Sequence, residues 1–173
     1  VNYEADDVIG SLAQTYSQQN EVFIITGDRD ILQCINTNVE VWLTKKGFNI
    51  YNRYTLDRFK EEYGIEPKQL IDVKALMGDS ADGYPGVRGI GEKTAIKLIQ
   101  NHQSVENVIE NISTLTSLQQ KKINNNIHNL HLSKSLAEIY TRVPIETEQL
   151  FKDMEYAHTL NDILSICNEH ELY

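Results

Sequence analysis

Seven carboxylates in three short clusters carry the chemistry open to this sequence. Glu4, Asp6 and Asp7 fall within four residues, Asp28 and Asp30 stand at i and i+2, and Asp79 and Asp82 stand three apart in Gly78-Asp79-Ser80-Ala81-Asp82-Gly83. Carboxylates at such spacings in flexible segments can bring several hard oxygens to one hard divalent cation. Each cluster also has a structural reading: acidic residues in a first helical turn complement the dipole, and an Asp after a strand can cap the turn that follows.

A different device follows the third cluster. Gly86, Gly89 and Gly91 surround small apolar residues and lead into Glu92-Lys93-Thr94-Ala95-Ile96-Lys97-Leu98-Ile99, whose apolar positions recur at helical spacing. Glycines allow a tight turn and a close approach of backbone to ligand, and the helix start adds free N–H groups and a positive dipole end, a combination suited to phosphate. Lys93 and Lys97 lie four apart, so both can face one phosphate strand, with Arg88 and Thr94 beside them. The glycine pattern does not follow a strand, so the dinucleotide-binding fingerprint lacks its context.

These groups need elements to position them. Val8, Ile9, Leu12, Ala13 and Tyr16 make one apolar helical face behind the first acidic cluster. Glu21-Val22-Phe23-Ile24-Ile25-Thr26 reads as a strand covered on both faces, with Asp28 and Asp30 at its carboxyl end, where open α/β sheets bind ligands. Glu40-Val41-Trp42-Leu43 and Phe48-Asn49-Ile50-Tyr51 flank a turn at Thr44-Lys45-Lys46-Gly47 and predict a hairpin, with Trp42 and Tyr51 as packing residues. From Thr55 the pattern is helical only. Thr55 caps a helix that stops at Gly64, Pro67 opens another that ends at Gly78, and Ser104 and the Thr116/Gln119 capping box start two more. Apolar spacing from Ile127 to Tyr140 predicts a helix ended by Pro144, and a last one begins at Thr159.

Composition bounds the class. The 173 residues are 40% hydrophobic and 24% charged, with no apolar run of spanning length and no signal peptide pattern. Cys34 and Cys167 read as buried thiols of a reducing compartment, which with the missing signal gives a cytoplasmic expectation. The formal net charge of −9 does not exclude nucleic acid, because cation-binding carboxylates lower the formal sum while the occupied site attracts phosphate.

Glu4-Ala5-Asp6-Asp7, Thr26-Gly27-Asp28-Arg29-Asp30, Gly78-Asp79-Ser80-Ala81-Asp82-Gly83-Tyr84-Pro85-Gly86 and Val87-Arg88-Gly89-Ile90-Gly91-Glu92-Lys93-Thr94-Ala95 resemble, in order and spacing, four motifs of the bacterial 5′-3′ exonuclease family. That family comprises the 5′-nuclease domain of DNA polymerase I, its standalone relatives and the flap endonucleases. The resemblance implies an α/β fold, part of a PIN-like parallel sheet with flanking helices over 1–54. A helical DNA-binding module of helix-3-turn-helix (helix-hairpin-helix) type follows over 55–143, then a segment 144–173 that packs back on the core. It implies a metal-dependent nuclease that hydrolyses DNA phosphodiesters at 5′ ends or flaps without sequence preference, acting as a monomer.

By the same resemblance Glu4, Asp6 and Asp7 belong to a first Mg²⁺ or Mn²⁺ site and Asp28, Asp30, Asp79 and Asp82 to a second. The hairpin Gly86 to Lys97 binds DNA and holds K⁺ or Na⁺ through backbone carbonyls. Relatives begin with a strand whose Asp completes the first site, then a further acidic ligand and a basic helical arch. None of these precedes Val1, so the chain is expected to be the later part of a longer protein and inactive alone. Gly83-Tyr84 stands where relatives carry Asn and an aliphatic residue. The alternatives are a catalytically incomplete DNA-binding fragment and a PIN-type ribonuclease, a class that generally lacks the hairpin.

Overall fold

A computed structural model describes residues 3–45, 50–146, 149, 150 and 152. Val1–Val143 form one compact unit and Pro144–Tyr173 a second. The expected Thr159 helix, most of the segment 144–173 expected to pack back on the core and Cys167 lie outside the described residues, as do Lys46 and Gly47 of the expected turn and Phe48 and Asn49 of the expected strand.

Helix α1 (Ala5–Tyr16) begins the chain and is followed by a three-stranded sheet of order β1-β2-β3. Strands β1 (Val22–Thr26) and β2 (Val39–Thr44) are parallel, with Ile24 opposite Val41, and β3 (Tyr51–Tyr54) runs antiparallel to β2. Alternation sends Ile24, Val39, Val41, Leu43 and Tyr54 into the core. The other face carries Phe23, Ile25, Trp42 and Tyr51. Trp42 stacks on Tyr51 at 4.7 Å and meets Phe23 edge-on at 5.6 Å, while Arg53 makes two hydrogen bonds with Glu40. Phe23 remains 49% exposed and Ile25 62% exposed, so β1 is covered on one face among the described residues rather than two. A continuous apolar run carries no alternation from which the open face could have been read.

The helices follow their local signals. Thr55 accepts the Arg58 N–H and starts α2 (Leu56–Tyr63), which ends at Gly64 in the left-handed conformation with φ +64°. The expected Pro67 helix divides into a 3₁₀ turn Pro67–Gln69, closed by a Glu66/Gln69 capping box, and α3 (Leu70–Met77). After the acidic loop and hairpin come α4 (Glu92–His102), α5 (Val105–Glu110), α6 (Ser117–Asn124) and α7 (Ile127–Ala137). Helix α3 packs chiefly against α7 and α4, with Val73, Ala75 and Leu76 fully buried.

Helix α7 stops at Ala137, well before Pro144. The buried Gln33 side chain donates to the Ala137 carbonyl at 3.0 Å and accepts the Ile139 N–H at 3.0 Å, drawing the chain out of the helix. The following segment lies along α1: Tyr140 N–H donates to Asp7 and Val143 N–H to the Ser11 hydroxyl. Burial pushes the Cys34 thiol up to about 11, which keeps it protonated at neutral pH. No helix of the described residues is long and apolar enough to cross a membrane.

Leu76→Ala tests the central place of α3. Truncating this fully buried side chain leaves a cavity between α4 and α7 and should cost about 2–5 kcal/mol in denaturant unfolding. A loss below about 1 kcal/mol would show that α3 is not central to the core.

Candidate metal centre and nucleic-acid interface

The carboxyl end of β1 folds on its own side chains. Asp28 N–H donates to the Thr26 hydroxyl at 3.0 Å, and Asp28 Oδ1 accepts the Asp30 N–H at 2.8 Å, which turns the chain into the 3₁₀ segment Asp30–Cys34. Ile31 and Leu32, fully buried behind it, fix Asp30 by packing.

The acidic loop is closed by backbone. Asp79 and Tyr84 exchange two N–H···O hydrogen bonds of 2.9 and 3.0 Å. Below them the chain crosses itself at Gly78 (φ +73°) and Gly86 (φ +57°), where a Cβ on Gly78 would stand 2.6 Å from the Pro85 carbonyl carbon. Only glycine fits that crossing. Gly86 N–H donates to the buried Ser133 hydroxyl of α7 at 2.9 Å, and Val87 N–H to the Leu76 carbonyl, so the neck of the loop is tied to both neighbouring helices.

Strand end and loop meet at Lys74 of α3, whose ammonium lies 2.5 Å from Asp30 Oδ1 and 2.5 Å from Asp79 Oδ2. The other Asp79 oxygen accepts N–H groups from Ala81 at 2.8 Å and Asp82 at 3.4 Å. Asp30, Asp79 and Asp82 each offer one oxygen, all within 4.8 Å of one another. The Lys74 hydrogen bond holds the Asp79 carboxyl below the usual carboxylate range, whereas burial raises Asp30 despite the same ammonium. The Lys74 amine is raised by the two carboxylates against the opposing effect of its own burial. An all-oxygen donor set already closed around one positive charge fits a hard divalent cation.

The remaining acidic residues are placed differently. Asp28 lines the same cleft as Asp30, Asp79 and Asp82, with its Oδ1 engaged by its own turn. Asp6 is raised first by burial and then by the charges of Asp28 and Asp30. Glu4 and Asp7 form the capping box of α1, and Asp7 also accepts the Tyr140 N–H. Among the described residues, Glu4, Asp6 and Asp7 do not close into a second group of three.

In the hairpin, buried Val87 and Ile90 pin the turn, and Gly89 takes φ +83°. Gly91 caps α4 in ordinary extended backbone, and a Cβ there would meet no other atom of the chain, so the turn itself does not require glycine at that position. Arg88, Lys93 and Lys97 are exposed, and both lysines and Thr94 line one groove with Asn101, Thr116 and Gln119. Lys122 of α6 donates to the Gly89 carbonyl at 2.7 Å. Arg29 donates to Tyr63 at 2.7 Å and pairs with Glu92 at 3.2 Å, which draws the first-turn carboxylate of α4 toward the strand-end loop.

Lys74, Arg29 and Ser133 were not among the sequence candidates, whereas Lys122 was read with Lys121 as a second small basic patch. Lys74 had a usable signal, since a lone Lys among the apolar residues of α3 requires a buried partner. Arg29 and Ser133 act across long stretches of chain and left no local pattern.

The family model described as "5′-3′ exonuclease, N-terminal resolvase-like domain" matches residues 1–64, and that described as "5′-3′ exonuclease, C-terminal SAM fold" matches residues 65–160. The 5′-3′ exonuclease of Bacillus subtilis (strain 168) is 44% identical over 170 residues, covering 98% of this chain and 57% of that protein. DNA polymerase I of Lactococcus lactis subsp. cremoris (strain MG1363) is 44% identical over 152 residues, 84% of this chain and 17% of that protein. Among solved structures, bacteriophage T5 5′-exonuclease with bound divalent metal ions (zinc) matches with a TM-score of 0.69 at 23% identity. It covers 80% of this chain and 51% of that one, a likeness of fold. With both family models matched in succession and a relative 44% identical over 98% of this chain, the chain belongs to the 5′-3′ exonuclease family, spanning 57% of the length of that Bacillus subtilis relative.

Proposed function

We propose that this chain supplies the second metal site and the duplex anchor of a metal-dependent 5′-3′ exonuclease or flap endonuclease acting on DNA. The observation that carries the reading is the convergence of Asp30, Asp79 and Asp82 on one cation position at the end of β1, directly before the Lys93/Lys97 helix. In this reading Asp28 supports the same site from the cleft wall, and Asp6, with Glu4 and Asp7, belongs to the first site. Mg²⁺ or Mn²⁺ bound there lowers the pKa of a water nucleophile and stabilises charge on the phosphate oxygens.

The chain's own residues do the positioning. Asp79 is oriented by Lys74 and by the N–H groups of Ala81 and Asp82. Gly86, Gly89 and Gly91 keep the hairpin slim with Arg88 exposed beside them, and α4 begins without a side-chain cap, leaving N–H groups and a positive dipole end for a backbone phosphate. K⁺ or Na⁺ at the hairpin would take carbonyl oxygens beside Gly89, where the Lys122 ammonium already bonds one of them. Such contacts hold phosphate and carry no base information, so binding is indifferent to sequence.

Two measurements test the reading. Asp79→Asn or Asp82→Asn in the intact protein should lower Mg²⁺-dependent hydrolysis of a 5′-labelled flap substrate by on the order of 10²-fold or more, with duplex affinity nearly unchanged. Equal losses in cleavage and binding would remove these residues from the chemistry. Lys93→Ala/Lys97→Ala should weaken duplex binding at every sequence tested. It should also flatten the dependence of log K on log salt by up to about two units, roughly one per lost phosphate contact. An unchanged slope would show that α4 is not the anchor.

A further inference from the structure

One buried group beside the acidic cluster has no protein partner. Tyr84 is only 4% exposed, its backbone is locked opposite Asp79, and its fully buried hydroxyl makes no hydrogen bond among the described residues. A buried hydroxyl left unpaired costs free energy, and native structures rarely keep one without a water, ion or ligand to satisfy it. The charges around it are Lys74, Asp30, Asp79 and Asp82, the residues that hold the cation position, and Tyr84 lines a cavity beside Asp79 with Ser80 and Pro85.

We infer that the Tyr84 hydroxyl is a positioning group for the second metal site, taking its missing hydrogen bond from water on a divalent cation held by Asp30, Asp79 and Asp82. Mg²⁺ and Mn²⁺ sites of this kind keep several waters, and cation-bound water is a strong donor to a neutral phenol oxygen. The inference rests on the metal reading above but concerns a residue outside the carboxylate set.

Tyr84→Phe keeps the ring and removes only the hydroxyl. With EDTA, its melting temperature should equal or exceed that of wild type, because an unsatisfied buried group has been deleted. Mn²⁺ titrated into the same protein should bind about 3- to 10-fold more weakly than to wild type, the loss expected for one hydrogen bond. Asp82→Asn serves as the control for the metal site itself. Unchanged Mn²⁺ affinity in Tyr84→Phe, with affinity lost in Asp82→Asn, would overturn the role of Tyr84 and leave the metal reading intact. A melting temperature that falls in EDTA as much as in Mn²⁺ would assign the hydroxyl to packing and overturn it too. Mn²⁺ binding that is absent from wild type, or untouched by Asp82→Asn, would overturn both readings together.

Discussion

The arrangement of this molecule depends on one ammonium group. Lys74 projects from a helix whose other inward residues, Asp72 apart, are apolar, and it stands 2.5 Å from carboxylates contributed by the end of β1 and by the loop after α3. Those two segments are separated by about fifty residues of sequence. Without a positive charge between them, Asp30 and Asp79 would repel one another in a half-buried cleft, and each would carry a desolvation cost. Their pKa shifts run in opposite directions. Asp79, better exposed and hydrogen-bonded, is held ionised, while the more deeply placed Asp30 is pushed toward its neutral form. A divalent cation would relieve that tension more fully than one ammonium, since its charge would reach Asp82 and Asp28 of the same cleft as well.

Around this charge the backbone is arranged to remain slim. Gly78 and Gly86 cross where no Cβ fits, and the loop between them closes through the paired backbone of Asp79 and Tyr84. The same crossing launches the hairpin, so the cation position and the proposed phosphate anchor share one pivot. Ser133 of α7 holds that pivot from below through the Gly86 N–H, and Arg29 ties the strand-end loop to the first residue of α4. The proposed cation position and the proposed phosphate anchor are thereby kept in a fixed relation by α3, α4 and α7, which belong to the same hydrophobic core as the sheet. Rigid helices behind short functional loops are what a site needs to hold reacting groups in register.

Much of this was legible because it is local. Thr55, Gly64, Ser104 and the Thr116/Gln119 box act within a few residues of themselves, and the helices they bound appear where expected. The acidic clusters and the glycine hairpin were legible for the same reason, each being a short run with its own chemistry. What escaped depends on distant partners. Gln33 ends α7 from a hundred residues away, so apolar spacing carried the expected helix past Ala137. Lys74 could be inferred to need a partner but not which one. The Asp7 and Glu4 carboxylates, equally acidic in sequence to Asp6, are engaged in capping α1, a competition that composition cannot resolve.

The central claim is that Asp30, Asp79 and Asp82 enclose a divalent cation in place of part of the Lys74 bridge. Anomalous diffraction from crystals of this chain grown with Mn²⁺ addresses it directly. The account predicts a manganese peak within coordination distance of all three carboxylates, about 2.0–2.4 Å from their oxygens, with the Lys74 ammonium moved off at least one of its two partners. A difference map with no peak there, and Lys74 still bridging Asp30 and Asp79 at saturating Mn²⁺, would contradict it.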